Sequence, residues 1–316
     1  MAGHSVIAVD VGGTKVLTAL IANDGAVLRS TERRTVLESE EGLLAQIEAS
    51  VLELAEEDVF AVGVGVPSTI DYRTGEILRS VNIPLAEIDL RRWLAKRLDL
   101  PVVVENDANL AALGESRAGA GRDAETMVML TLGTGCGGGL VIGGKLYRGW
   151  AEFGHLVIDE DGLRCQGSCT GRGHLEAYVT GPAATKAARE AFGPDADAHH
   201  LVALARTGDR RACEILAGIG RHLGAGIATL VNLFTPDVVV IGGGFGCAAA
   251  EFLVEPAAEV VRWQALAPAS EGVCIVRGKL GREAGLIGAS VLAREAAVRS
   301  RFGARAASPG ALKKTP

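Results

Sequence analysis

Two glycine turns set in the same surroundings constrain this chain more than any other feature. Residues 6–10 read as a buried strand ending in an acid. Gly12-Gly13-Thr14 follows as a turn, residues 16–22 as a second strand, and Asn23-Asp24-Gly25 as a hairpin signal ahead of a return strand from Ala26. The plan restarts at residues 127–132, with a Gly-rich turn, a strand at 140–142, a Gly143-Gly144 turn and residues 145–148. A strand, glycine turn, strand and hairpin written twice predict two α/β lobes built on one plan. Between the copies lie a helix at 41–57, a β-branched run at 61–66, an amphipathic segment at 90–98, and a strand at 101–105 that runs into helical residues 108–113. After the second copy, helical periodicity covers most of 181–234, a buried strand at 238–241 leads into Gly242-Gly243-Gly244, and a last helix spans 283–298.

Length and composition agree with two lobes. A chain of 316 residues that is 48% hydrophobic carries more apolar surface than one small core needs, and two lobes leave room for a cleft. The net charge of −6, with both signs interspersed, offers no cationic face to nucleic acid or to an anionic membrane. No apolar run approaches membrane thickness, and the start reads as a strand rather than a secretory signal, so a cytoplasmic protein is expected. Of six cysteines, Cys136, Cys213, Cys247 and Cys274 are scattered, whereas Cys165 and Cys169 sit together beside histidines, which suggests metal rather than a disulfide.

Glycine turns suit phosphate, because backbone N–H groups without a Cβ can approach its oxygens closely. In Asp10-Val11-Gly12-Gly13-Thr14-Lys15 a carboxylate ends a strand and a hydroxyl and an ammonium stand beyond the bend, the groups needed around phosphates and Mg²⁺. The plainer alternative is a tight hairpin in which Asp10 caps the turn and Lys15 is a solvated edge charge. A Walker A loop is excluded, since the order is Gly-Thr-Lys and a strand follows. Gly133-Thr134-Gly135-Cys136-Gly137-Gly138 matches a dinucleotide fingerprint, but a hairpin follows it instead of a helix. It reads as the second phosphate turn.

These residues resemble the ROK group of sugar kinases, repressors and related proteins, within the actin-like ATPase superfamily, over about residues 5–298. The resemblance rests on an ordered set: Asp10-x-Gly-Gly-Thr-Lys15, Gly63-Val64-Gly65-Val66-Pro67, Glu105-Asn106-Asp107-Ala108-Asn109, Leu132-Gly-Thr-Gly135, Glu152-Phe-Gly-His155, the Cys/His segment ending in Glu176, and Ile241-Gly-Gly-Gly244. It implies an α/β, two-lobed, duplicated ribonuclease H-like fold with a central nucleotide and sugar cleft. The N-terminal lobe would span 1–117, completed by the helix at 283–298, and a larger lobe 118–282, leaving a disordered tail at 300–316. It also implies ATP-dependent phosphorylation of a hexose, commonly glucose, by a homodimer or dimer of dimers.

Carried over position by position, the resemblance makes Asp107 the general base, oriented on the attacking hydroxyl. Asp107 can equally serve the helix that follows as an N-cap. Asn106, Glu152, His155 and Glu176 would hold the sugar, with Gly65 and Asn82 lining its pocket on weaker grounds. ATP and Mg²⁺ fall to Asp10, Gly12, Gly13, Thr14 and Lys15 and to Gly133, Thr134 and Gly135, while Gly242, Gly243 and Gly244 flank the adenosine or simply connect a strand to a helix.

The family's cysteine pattern is altered in Cys165-Gln-Gly-Ser-Cys169-Thr-Gly-Arg-Gly-His174-Leu-Glu176, where His174 stands in the third cysteine's place. With His155, the two thiolates and two imidazoles form an accepted set for structural Zn²⁺. The competing view is two free thiols and an exposed histidine. His199-His200 reads as a solvated surface connection, Trp93 as core, and Trp150 as pocket wall or packing.

A sugar-responsive repressor would need a DNA-reading domain ahead of a turn that here begins at residue 10, and a non-catalytic sensor would be expected to lose the base or a phosphate turn. The acceptor is left open among glucose, fructose, mannose, allose and N-acetylhexosamines, and polyphosphate is a conceivable donor.

Overall fold

The computed structural model of the protein describes residues 5–306. The chain divides into two units, one comprising Met1–Asp107 with Leu286–Pro316, the other Ala108–Gly285. In the first unit, β1 (Ser5–Val11), β2 (Lys15–Ile21) and β3 (Val27–Arg34) form an antiparallel meander, followed by helix α1 (Glu40–Leu54) and strand β4 (Val59–Val66). A small hairpin of β5 (Ser68–Asp71) and β6 (Glu76–Ser80) precedes α2 (Leu90–Leu98), β7 (Val102–Asn106) and α3 (Asp107–Ala118), the last crossing into the second unit. The sheet order is β3-β2-β1-β4-β7, with β4 parallel to both β1 and β7.

The second unit repeats this order. Strands β8 (Thr126–Leu132), β9 (Cys136–Ile142) and β10 (Lys145–Leu146) make the meander; helices α4 (Glu176–Val179), α5 (Gly181–Phe192), α6 (Ala198–Arg206) and α7 (Arg210–Phe234) follow, then β11 (Val238–Gly242), α8 (Gly244–Gln264), α9 (Ala269–Gly272) and β12 (Cys274–Arg277). The sheet runs β10-β9-β8-β11-β12, again with the two later strands parallel to the first. The duplication seen as two glycine turns is therefore a duplication of whole sheets.

Burial explains the strand composition. Val9 and Val64 in the first sheet and Val128 and Val239 in the second are 0–1% exposed, as expected of parallel strands covered on both faces. In the first unit Leu43, Ile47 and Val51 of α1 supply the covering stripe, and Trp93 packs at the margin of this core. In the second, α7 lies against α8 closely enough that a Cβ on Gly224 would stand 2.6 Å from the Ala257 carbonyl oxygen. The helix α10 (Ala284–Ala306) returns to the first unit: a Cβ on Gly63 would meet the Ala289 carbonyl oxygen at 2.3 Å, and Arg294 donates to the carbonyls of Ile21 and Ala22 at 2.9 and 2.8 Å.

The structure departs from the sequence reading in several places. Helix α1 stops at Leu54, before Glu56-Glu57, where residues 55–57 are all exposed. The helical stretch 181–234 is three helices, separated at Gly193 (φ 105°) and at Gly208 (φ 87°). After the triple glycine, read as flanking the adenosine or connecting a strand to a helix, comes α8, which holds Gly246 and Pro256 inside it because its face of Ala249, Leu253 and Ala257 is buried. Helix α10 enters the segment beyond Ser300 that composition reads as a disordered tail, and 307–316 lie outside the described residues. Among the described residues no helix is long and apolar enough to cross a membrane.

Candidate functional site

In the first unit, the carboxyl ends of the three parallel strands bring the predicted residues together. Register places Asp10 beside Gly65, Gly65 beside Glu105, and Val66 beside Asn106. The residues that follow these ends are where open parallel sheets place ligands. Asp107 is the first residue of α3, in the turn where a carboxylate meets the positive end of the helix dipole. Asn106 is held by its backbone N–H to the Glu105 carboxylate at 2.9 Å and by its amide to the Ser68 carbonyl at 3.4 Å.

The first glycine turn is tight: the Gly12 N–H donates to the Lys15 carbonyl at 2.9 Å and the Thr35 hydroxyl to the Gly12 carbonyl at 2.7 Å. A Cβ on Gly13 would press on the Asn82 Cβ at 3.1 Å, so this turn and the weakest of the sugar candidates are neighbours. Lys15 reaches across to Glu32 at 3.3 Å, on an exposed edge. Burial pushes the Asp10 carboxyl up to about 7; the neighbouring Asp107 carboxylate adds to the rise and Lys15 opposes it. The two acids stand at the carboxyl ends of β1 and β7, on either side of β4, and an acid so perturbed at a strand end is a functional-site candidate.

In the second unit the turn after β8 is closed by Gly133 N–H to the Gly135 carbonyl at 2.9 Å, and Gly181 N–H donates to the Gly133 carbonyl at 2.9 Å. Glu176 is drawn to the same turn. Its carboxylate accepts the Cys136 N–H at 2.8 Å, and a Cβ on Gly135 would lie 2.8 Å from it. The Cys136 thiol is pushed up by burial and then by the Glu176 and Glu152 carboxylates, which places both predicted sugar acids around one strand start. Glu152 immediately precedes the short 3-10 turn Phe153–His155 and accepts the His155 N–H at 3.0 Å through its carbonyl.

His155, Cys165, Cys169 and His174 converge, their ligand atoms all within 4.8 Å of one another. His155 Nδ1 is 3.9 Å from Cys165 Sγ, and His174 Nδ1 is 3.5 Å from Cys169 Sγ. Tetrahedral zinc with ordinary bond lengths separates its ligand atoms by roughly 3.3–3.8 Å, so the donor set fits the metal and its spacing lies within about 1 Å of that range. The segment is also tied from outside this set. Gln166 donates to the Glu176 carbonyl at 3.0 Å, and the Tyr178 hydroxyl accepts the Leu163 N–H at 2.7 Å. Gly173 needs its glycine: φ is 65° and a Cβ would fall 1.4 Å from the Asp159 carbonyl oxygen.

Beside the second turn lies a cavity of about 500 Å³, lined by Gly133 and Thr134, by Pro182 and Thr185 of α5, by His199 and Val202 of α6, and by Phe245 of α8. Of the triple glycine only Gly244 reaches it, at the start of α8, where backbone N–H groups are open to an anion. Gly243 has φ 78° and Gly242 is buried against Met129, so these two make the strand-to-helix connection. The reading of His199-His200 as a surface connection is corrected, though both are exposed: they lie on α6, capped by Asp197 through the His200 N–H at 2.8 Å, and His199 lines the cavity. Thr185, His199 and Phe245 were invisible in the sequence because three separate helices supply them. Trp150 is exposed.

The ROK family profile matches residues 6–296. A glucokinase of Thermotoga maritima is 36% identical over 92% of this chain and 97% of its own, and a glucokinase of Streptomyces coelicolor is 34% identical over the same shares. The crystal structure of a ROK family glucokinase from Streptomyces griseus, in complex with glucose and AMPPNP, superposes with a TM-score of 0.80 at 35% identity, over 92% of this chain and 99% of that one. A ROK hexokinase from Thermus thermophilus gives 0.79 at 33%, over 95% and 100%. The duplicated α/β architecture is thus that of the actin-like ATPase fold. From its ordered motifs, its repeated sheets and these likenesses, the chain belongs to the ROK family.

Proposed function

We propose that the protein is an ATP-dependent glucokinase in which Asp107 is the general base. The observation that carries this reading is the placement of Asp107 on the first turn of α3, directly after β7, where its carboxylate perturbs the buried Asp10. The glucokinases of Thermotoga maritima and Streptomyces coelicolor, alike over nearly the whole chain, support the sugar.

In the reaction Asp107 orients the primary hydroxyl of glucose and accepts its proton as the oxygen bonds to the γ-phosphorus and the bond to ADP breaks. Glu152 and Glu176 accept hydrogen bonds from the ring hydroxyls, and the Asn106 amide both donates and accepts. Asp10 would hold Mg²⁺ or its bound water, and the ion would supply charge neutralisation on the phosphates. The amides of the Gly12-Gly13 and Gly133–Gly135 turns approach phosphate oxygens, and the cavity beside Thr134 takes the adenosine against Pro182, Val202 and Phe245. His155, Cys165, Cys169 and His174 would hold a structural Zn²⁺, which fixes a loop but supplies no chemistry to the transfer. With Nδ1 of His155 turned toward Cys165 Sγ, its Nε2 would be left for the sugar. A homodimer, expected from the family, is testable by sedimentation.

The deciding experiment is a coupled ADP-release assay with ATP·Mg²⁺ and a panel of hexoses, on wild type and Asp107→Asn. Turnover on glucose that falls about 10²–10⁴-fold in the variant is the expected result. Turnover restricted to another hexose replaces the substrate; none on any hexose overturns the kinase.

A further inference from the structure

A buried carboxylate, Glu115, stands eight residues along α3 from Asp107 and is 1% exposed. It accepts three backbone hydrogen bonds, from Ala120 N–H at 2.7 Å, Leu280 N–H at 2.8 Å and Lys279 N–H at 3.1 Å. Glycines enclose it: a Cβ on Gly119 would lie 2.0 Å from one carboxylate oxygen and a Cβ on Gly278 2.9 Å from the other. Gly278 is itself pinned, its N–H donating to the Ile241 carbonyl at 2.9 Å.

The segments joined by this side chain have particular places in the chain. One is α3, on whose first residue the chain leaves the first unit; the other, residues 278–280, leads through a short turn into α10, on which it re-enters that unit at Leu286. Burying a carboxylate costs several kcal/mol before its hydrogen bonds return the loss, and a methionine or leucine would fill the same volume more cheaply. What an apolar side chain cannot do is hold two backbone segments in one register by directional bonds. Charge-assisted acceptance from N–H is about twice as strong as a neutral bond and fixes direction as well as distance.

We infer that Glu115 is a positioning residue for phosphoryl transfer, seating α3 so that Asp107 keeps its place on the reacting hydroxyl. The inference rests on the reading of Asp107 as the base. Glu115 and Asp107 are about 12 Å apart along the helix axis, so a tilt of about 5° at the seat moves Asp107 by about 1 Å. A misplacement of that size in a catalytic group can cost on the order of a hundredfold in rate.

The test compares wild type, Glu115→Gln and Glu115→Asp by steady-state kinetics and by hydrogen exchange of the folded proteins. Glutamine keeps the volume but turns one acceptor into an NH₂ that faces an N–H donor. Its kcat is expected to fall roughly ten- to a hundredfold while KM for ATP stays within about twofold. Amides of 108–112 should exchange faster, those of α7 should not, and the aspartate variant, which keeps the carboxylate, should recover part of the kcat. Wild-type kcat with unchanged exchange at 108–112 overturns the inference, whatever the melting temperature. So does a rate loss accompanied by faster exchange in α7, which means general loosening. If the wild type phosphorylates no hexose, the proposed function fails instead, and the exchange at 108–112 alone decides whether Glu115 seats the helix.

Discussion

Replacing Asp10 with asparagine should stabilise the protein at neutral pH while abolishing its activity. In the folded chain this carboxyl is raised from 3.8 to about 7, burial being the main cause and the Asp107 carboxylate the next. Between those two values the folded state holds a proton that the unfolded chain has released, so the free energy of unfolding falls as pH rises, by about 1.4 kcal/mol per pH unit. The stabilisation is complete below pH 3.8 and lost by about pH 7; over the whole window the loss is about 4 kcal/mol, of which about 3 kcal/mol falls between pH 5 and 7. Asparagine is neutral throughout and escapes the loss. For a chain of this size 1 kcal/mol corresponds to roughly 2 °C. Melting curves of the metal-free proteins at pH 5 and 8 should therefore show the wild type dropping about 5 °C further than Asp10→Asn, with other carboxylates cancelling in the comparison. Mg²⁺ should raise the wild-type melting temperature at pH 8 and leave the variant unchanged. Equal pH responses, or a variant less stable than wild type at pH 8, would refute burial as the dominant force on Asp10.

Three further outcomes are expected. Cys169→Ser should lose bound zinc, measured as metal per chain by mass spectrometry, and raise KM for glucose about tenfold or more by freeing the loop that ends in Glu176. Gly173→Ala, forced into φ 65° with its Cβ 1.4 Å from the Asp159 carbonyl oxygen, should misfold the same segment, read as lost zinc and a melting temperature several degrees lower. Val202→Trp should fill the cavity beside Thr134 and raise KM for ATP about tenfold or more with KM for glucose unchanged; equal changes in both would disconnect that cavity from the nucleotide.

Residues that work through local order were legible. The strand ends at Asp10 and at Glu105-Asn106-Asp107 and the turns at Gly12-Gly13 and Gly133–Gly135 depend on neighbours in sequence, and they stand where their spacing put them. The Cys/His set was legible for a chemical reason: two thiols and two imidazoles within one short stretch of glycine-rich chain and one upstream histidine have few other uses. The cavity was not legible. Thr185, His199 and Phe245 belong to three helices, each of whose periodicity says only that it has a buried face, and α8 conceals itself behind Gly244, Gly246 and Pro256. Nothing in the local sequence marks Glu115, because its burial depends on residues 279–280, far along the chain.

By itself, then, the sequence determined the repeated α/β plan, the glycine turns and the acids at the strand ends, because hydrophobic period and turn chemistry are local and act before the chain is folded. Only the tertiary structure decided which strands became neighbours, which helices enclose the cavity beside Thr134, that Gly242 and Gly243 serve packing and the turn, and that Glu115 is buried. Those outcomes depend on contacts between residues distant in sequence, where close packing and the need to satisfy every buried N–H select one arrangement among many with the same pattern.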